Sequence, residues 1–372
     1  MKFAGYDKIL IVDTILLLLF GLVMISSASV VLSYSKFGNN YYYLSHQFFY
    51  GLLPGVVLAF FAARTDYRKF KKLAPLFLLV TLALLLVVFV PGLSLDNRGV
   101  SSWISVAGMS FQPSELAKLT LIIYLAAWLE ERKNKINDFS EGFIPFLMII
   151  ALIAIPILKQ PDLGTLVVMC AIAFAMYFIA GAGFTYIMIL ALGGAAGVMV
   201  LIKLAPYRMQ RLTTFLHPEY DPQGIGYQIN QALLALGSGG ILGLGLGHSR
   251  QKFNYLPEPI GDSIFAVTGE ELGLVGLVFL LILFLLFARR GFLIAENAKD
   301  NFGKLIAVGI TLWVIFQALM NIGAITSLLP LTGITLPFVS YGGSSLMALL
   351  TGTGVLLSVS KFGNSPKKTN NK

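Results

Sequence analysis

Charge is scarce in this chain. Only 12% of its 372 residues are Asp, Glu, Lys or Arg, whereas a soluble domain carries about 25%. Together with 57% hydrophobic residues and a mean hydropathy of +0.81, that shortage excludes an ordinary water-soluble globule. The single cysteine, Cys170, excludes an intramolecular disulfide. Its place inside an apolar run makes it a small buried hydrophobe, not a thiol nucleophile. The three histidines, His46, His217 and His248, form no ligand spacing such as HExxH, so a histidine-based metal site is absent from the pattern. Alternating strands of about ten residues are missing, which excludes a membrane β-barrel.

What the chain has instead is a succession of long apolar runs, each able to cross a hydrocarbon core of about 30 Å as a helix. The runs predict an all-α polytopic membrane protein, one domain over residues 1–372, with ten spans. These fall near 8–32, 46–63, 73–90, 114–130, 143–158, 163–181, 184–203, 263–288, 304–326 and 343–361. The first, Ile9–Leu32, is too long for a cleaved signal segment and is expected to remain as a span. A long loop, about 204–262, separates spans 7 and 8. A segment broken by Pro, Gly and Ser precedes span 10, and residues 362–372 form a short tail.

Basic residues set the orientation. With the N-terminus in the cytoplasm, 18 of the 27 Lys and Arg fall on the inner side and eight on the outer side, with Lys118 inside a span. The positive-inside rule then puts both termini in the cytoplasm. The net charge of +9 is topological, suited to anionic headgroups of membrane lipid and not to nucleic acid.

Five stretches on the outer side carry chemistry. In WISVAGMSFQPSELAK, Pro113 suits a first helical turn, and Glu115 and Lys118 share one helical face. With Trp103 they make either a self-satisfied ion pair or an anion pocket with an aromatic wall. In KQPDLGT, Asp162 either caps a helix or lines a polar cleft. In the long loop, Arg208 and Arg211 are spaced to grip a pyrophosphate. The Gly-rich piece from Tyr227 to Leu246 reads as a surface helix and a flexible turn lying on the bilayer. Its GLGLG is no dinucleotide fingerprint, since no strand precedes it. In NYLPEPIGDSIFAVTGEELG, Asp262 stands at a helix start, where capping is its bland role. Glu270 and Glu271 lie about 12 Å deeper and suggest a structural polar network. Finally, PLTGITLPFVSYGGSS leaves free backbone groups that must line a cavity or be buried in protein, with Ser340 and Ser344 as candidate substrate contacts.

In this order and over nearly the whole chain, QPSELAK, QPDLGT, the Arg-bearing loop ending in YLPE, GEELG and LTGITLPFVSYGGSS closely resemble the SEDS family of shape, elongation, division and sporulation proteins. The stretch HPEYDPQGIGYQINQALLALGSGG is more similar to the division branch than to the elongation branch. The resemblance implies an inverting peptidoglycan glycosyltransferase in the bacterial cytoplasmic membrane. It would polymerise lipid II into β-1,4 glycan at the outer face. Asp262 falls on the family's essential acid and is the implied catalytic base. Trp103, Glu115, Lys118, Asp162, Arg208, Arg211, Ser340 and Ser344 are the implied substrate contacts. The implied partners are undecaprenyl-linked substrates, a class B penicillin-binding protein with transpeptidase activity, and other division or elongation proteins.

No cofactor is evident. A divalent cation, Mg or Mn, would suit the pyrophosphate, although no clear ligand set is visible. The chain departs from the family at Ile260, Gly261 and Ser263 around the acid. It departs again at Arg98, Gly99, Ser101 and Ser102 before the Trp. A lipid-linked-sugar flippase and a non-catalytic scaffold remain as alternatives, separated from the polymerase by assay.

Overall fold

The computed structural model describes residues 5–90, 102–106, 109–221 and 223–363. Arg98, Gly99 and Ser101 lie outside them, as does the tail beyond 363. Helices stand at all ten apolar segments: α1 (Lys8–Phe37), α2 with α3 (Tyr42–Gln47 and Leu53–Arg64), α4 (Arg68–Val87), α5 (Pro113–Glu131), α6 (Ile144–Lys159), α7 (Leu163–Ile179), α8 (Phe184–Lys203), α11 (Ile264–Glu296), α12 (Asn301–Ile325) and α13 (Gly343–Gly363). A π-helical turn, Phe48–Leu52, joins α2 to α3. Among the described residues, eight helices are long and apolar enough to cross a membrane. Of the other two segments, α7 is apolar but has 17 residues, and α5 carries Glu115, Lys118, Glu130 and Glu131. The chain is thus a multi-pass helical membrane protein.

The helix ends are set by local chemistry. Asp7 caps α1 by accepting from the Leu10 amide at 2.9 Å, and Gly38 closes it in the left-handed conformation (φ 65°). Asp300 caps α12 through the Gly303 amide at 2.7 Å, and also accepts from the Tyr67 hydroxyl at 2.8 Å and Arg68 Nε at 3.0 Å. That cluster, the Asp7–Arg290 ion pair and the Lys71–Glu130 pair at 2.8 Å gather the N-terminal end of α1, the α3–α4 turn and the α11–α12 turn at one end of the bundle. The α1–α2 turn, the α6–α7 turn, residues 204–263 and the α12–α13 connection gather at the other.

Packing is graded across the bundle. α5, α12 and α13 are buried over most of their length, so the core runs along them. α8 buries only Leu190 and presents apolar side chains outward, which only lipid or another protein satisfies.

Two elements differ from the sequence reading. A two-stranded antiparallel hairpin, β1 (Ile104–Val106) and β2 (Met109–Phe111), precedes α5, with Ile104 opposite Phe111. The long loop contains two helices, α9 (Pro206–Leu216) and α10 (Ile225–Gly239). α10 does not lie flat on the surface. It runs down the first turns of α11, from Gln228 beside Ser263 to Gly239 against Gly269.

α11 breaks at Gly273 (φ 64°, ψ −164°). Into the break goes the turn after α10. Leu244 and Gly245 amides donate to the Glu270 and Glu271 carbonyls at 2.9 and 3.0 Å, while the Leu274 and Val275 amides donate to Gly240 and Ile241 at 2.9 and 3.1 Å. Backbone groups opened by the break are thereby satisfied within protein, as a membrane-level site demands. Glycine is required on both sides, because a Cβ at Gly243 would strike the Glu271 carbonyl and one at Gly273 the Ile241 carbonyl.

Candidate active site

The end of the bundle opposite the chain's N-terminus holds a cavity of 1220 Å³. Its walls come from α1–α3, the β-hairpin, the starts of α5 and α7, residues 252–262, and the α12–α13 connection. Of the residues expected at the site, Trp103, Glu115, Asp162, Arg211, Asp262 and Ser344 line it together. Lys118, Arg208 and Ser340 do not.

Asp262 sits just before α11 but does not cap it, since no side chain caps that helix. Its carboxylate instead accepts from Gln228 Nε2 at 3.4 Å to each oxygen and from the Ser263 hydroxyl at 3.4 Å. Burial, then the negative charge of Glu258, pushes its pKa up to about 6, and the hydrogen bonds from Gln228 and Ser263 oppose that rise. The backbone around it is clamped. Asn321 Nδ2 donates at 2.8 Å both to the Asp262 carbonyl and to the Ile334 carbonyl, and the Ser340 hydroxyl donates to the Gly261 carbonyl at 2.7 Å. Ser340 also accepts from the Leu336 amide at 2.8 Å. It is a brace of the loop, not a lining residue.

The broken segment before α13 is satisfied as its composition demanded. Gln317 Nε2 donates to the Thr335 carbonyl at 3.0 Å, and Arg211 Nη1 reaches the Leu331 carbonyl at 3.5 Å. Ser344 Oγ accepts from the Gln112 amide at 3.1 Å and so ties α13 to the start of α5.

On the opposite wall, Asp162 caps α7 through the Thr165 amide at 3.0 Å and accepts from Gln112 Nε2 at 3.3 Å and Ser114 Oγ at 3.4 Å. Both sequence readings of this residue therefore hold at once: it is a helix cap that lines the cavity. Burial, with the Glu115 charge nearby, raises its pKa against the pull of Thr165.

Lys118 lies beneath the floor, 1% exposed. Its ammonium is 2.8 Å from Glu115 Oε1 and 2.7 Å from Gln317 Oε1, with the Trp313 ring 5.4 Å away. Its cation is already neutralised, while Glu115 keeps a second, buried oxygen without a partner. Arg208 is turned away, donating to the Tyr207 hydroxyl at 2.7 Å and the Leu201 carbonyl at 3.1 Å.

Below Asp262, Glu270 and Glu271 form the polar network their depth suggested. Glu270 accepts from the Ser249 hydroxyl and the Arg250 amide, the latter at 2.8 Å. Glu271 accepts from Lys252 Nζ at 2.7 Å and from Ser27 at 2.6–2.7 Å. Together they pin residues 249–252, and hence the approach to Asp262, onto α11 and α1.

Several lining residues were not singled out from sequence, Gln112, Tyr43 and Tyr341, while His46 was weighed only as a metal ligand and Glu258 only as one of four acids before the apolar run. Glu258 carries a signal in its backbone, a positive φ of 46°, which a carboxylate side chain adopts only where the surroundings hold it. Among the described residues no group of three or more His, Cys, Asp or Glu is placed to hold a metal ion.

Known proteins share this architecture. Residues 7–365 match the family model for the FtsW, RodA and SpoVE cell cycle proteins. The chain is 44% identical to stage V sporulation protein E of Bacillus subtilis (strain 168), covering 96% of this chain and 97% of that one. It is 43% identical to the probable peptidoglycan glycosyltransferase FtsW of Geobacter sp. (strain M18), with the same coverage. Among solved structures, a chain from a peptidoglycan synthase complex that coordinates polymerization and crosslinking superimposes with a TM-score of 0.79 at 29% identity, covering 97% of this chain and 99% of that one. The rod shape determining protein RodA of Thermus thermophilus superimposes with a TM-score of 0.72 at 27% identity over the same shares. Matched along nearly its whole length in sequence and in fold, the chain belongs to the FtsW/RodA/SpoVE family.

Proposed function

We propose that this protein is a peptidoglycan glycosyltransferase, polymerising lipid II at the outer face of the cytoplasmic membrane with both termini inside. The observation that carries the reading is Asp262, a carboxylate with a pKa raised to about 6 on the wall of a large cavity at one end of a membrane bundle. A base of that strength is largely ionised at neutral pH yet takes a proton more readily than an ordinary carboxylate.

In the proposed step the 4-hydroxyl of the acceptor sugar gives its proton to Asp262. Its oxygen attacks the anomeric carbon of the donor. The bond from that carbon to the pyrophosphate breaks, and its electron pair leaves on undecaprenyl pyrophosphate. Attack opposite an α-linked leaving group yields the β-1,4 linkage. Arg211 lines the same cavity as Asp262, as do Lys36 and Lys252, and its forked guanidinium is suited to the leaving phosphate. Lys118 acts through Glu115, holding one of its oxygens and so fixing the side chain in the cavity wall.

Two features favour polymerisation over transport. The lining residues all come from one end of the helices, and the floor beneath is closed by the buried Lys118, Trp313 and Gln317. A relative from a synthase complex makes a class B penicillin-binding protein the expected partner, with lipid II and undecaprenyl-linked glycan as substrate and product.

The test is polymerisation of lipid II by wild type and Asp262→Asn, each with the cognate transpeptidase, read as glycan length on a denaturing gel. Polymer from the wild type alone supports the reading. Polymer from both moves the base elsewhere. Polymer from neither, followed by lipid II translocation in vesicles, replaces the polymerase with a flippase.

A further inference from the structure

One wall of the cavity plays no part in the step above. It is built from α1 and α2–α3 and contributes Lys36, Tyr43, His46 and Tyr50, joined by Tyr341 from the α12–α13 connection. The rings hold one another: Tyr43 stands edge-on to Tyr341 with centroids 5.1 Å apart, and His46 packs on Tyr50 at 4.5 Å. His46 Nδ1 and the Tyr341 hydroxyl are hydrogen-bonded at 2.9 Å.

This wall is rigidly joined to the segment that carries Asp262. The Tyr341 amide donates to the Ile260 carbonyl at 2.8 Å. Gln47, buried between the two, accepts from the Gly342 amide at 3.0 Å and donates to the Ser340 carbonyl at 3.4 Å. Close contact continues at Gly51, where a Cβ would lie 3.0 Å from Gly343 Cα. The π-helical turn at Phe48–Leu52 inserts an extra residue here, and such turns recur at functional sites.

A row of aromatic rings fixed in a polar cavity, with hydrogen-bonding atoms between them, matches one ligand chemistry well. The C–H faces of a pyranose carry partial positive charge and pack on the negative faces of rings, while the hydroxyls find donors and acceptors at the edges. The rings are already ordered by their neighbours, so binding freezes little side-chain freedom. We propose that Tyr43, His46, Tyr50 and Tyr341 form a glycan subsite that holds a β-1,4-linked amino-sugar chain next to Asp262, with Lys36 at its rim facing the acidic groups such a chain carries. The inference rests on the polymerase reading and extends it. The subsite keeps the strand in place between additions and so sets product length.

The test uses the purified full chain in nanodiscs with a β-1,4-linked N-acetylglucosamine tetramer as probe, titrated by saturation-transfer NMR, which needs no turnover. Wild type is expected to bind. Tyr43→Ala and Tyr50→Ala are each expected to weaken binding about fivefold to tenfold, while Tyr43→Phe and Tyr50→Phe, which keep the ring, and Leu192→Ala on α8 leave it unchanged. Melting temperatures identify any variant that has lost its fold, and Tyr50, 47% exposed, is the least exposed to that failure. With lipid II and the cognate transpeptidase, the Ala variants are expected to give shorter glycan. Wild type that does not bind the tetramer, or equal binding by wild type and both Ala variants, overturns the subsite. Ring-dependent binding by a wild type that makes no glycan keeps the subsite and removes the polymerase. Glycan synthesis with ring-independent binding does the reverse.

Discussion

Gln228 Nε2 lies 3.4 Å from each carboxylate oxygen of Asp262, a contact made across 34 residues of chain. The neighbours of the proposed base therefore come from a helix on one side, through Gln228, and from its own loop on the other, through Glu258. They push its pKa in opposite directions.

That opposition gives a pH prediction with two signs. The wild-type rate at subsaturating lipid II should rise with pH through about 6 and level off above, because only the ionised Asp262 accepts the proton. Gln228→Leu removes a hydrogen bond that favours the charged form and should move the inflection upward. Glu258→Gln removes a negative neighbour and should move it downward. Rate profiles from pH 5 to 8.5 for the three proteins check this. Inflections that do not move in opposite directions would mean that Asp262 is not the titrating base.

The same raised pKa makes Asp262 a cost to folding at working pH. The stability linked to this group is fully present below its unfolded pKa of about 3.9. It is lost as pH rises through about 6. Asp262→Asn should thus abolish polymerisation while raising Tm at pH 7.5 by about 2 °C or more. Thermal melts of both proteins in the same detergent provide the measurement, with the difference shrinking at pH 4.5.

Lys118 should matter as half of a pair. With one partner gone, a charge is left buried beside Gln317 and Trp313, which typically costs about 3–5 kcal/mol. Lys118→Met should therefore sharply lower the yield of folded protein, and Glu115→Gln with Lys118→Met should restore much of it without restoring activity. A double-mutant cycle on Tm separates this from a direct role in binding pyrophosphate, where the double variant would fold no better than the single one.

The two loop arginines, equivalent by spacing, should separate in assay. Arg211 lines the cavity, whereas Arg208 does not line it and donates instead to the Tyr207 hydroxyl and to the Leu201 carbonyl of α8. Arg211→Ala is expected to lower kcat/KM for lipid II by about tenfold or more, and Arg208→Ala by no more than about twofold. Comparable losses in both would place the leaving group differently.

The contrast between these arginines marks what was legible in the sequence. The helices at the ten apolar segments are each announced by an apolar run, because the bilayer imposes a length and a composition that are local properties of the chain, whereas the polar α9 is not. The Asp162 cap and the Glu270–Glu271 network were readable for a similar reason, as an acid at a helix start or inside a span has few ways to be satisfied. Position around a helix is another matter. Spacing put Arg208 and Arg211 on one face, but the seating of α9 turns only one of them inward. Nor does any local pattern bring Gln228 to Asp262, or His46 to Tyr341 across 295 residues. The descent of α10 along α11 was missed because it depends on the turn after α10 entering a break in another helix, which no local pattern announces.

That break carries the last prediction. Gly273 has φ 64° and ψ −164°, a region essentially reserved for glycine, and a Cβ there would meet the Ile241 carbonyl and the Gly243 amide. Gly273→Ala must therefore either strain the backbone or straighten α11. A straight α11 would close its own hydrogen bonds and expel the Gly240–Gly245 turn, whose amides and carbonyls would then lose their partners at the membrane surface. Either route should cost about 2 kcal/mol or more. Because α10 would be released, Gln228 should withdraw from Asp262, so activity at pH 6 should fall more than activity at pH 8. Proteolysis within residues 240–247 and the pH profile of Gly273→Ala report the two effects separately. A variant with wild-type Tm and wild-type protection would show that the turn holds its place without the break.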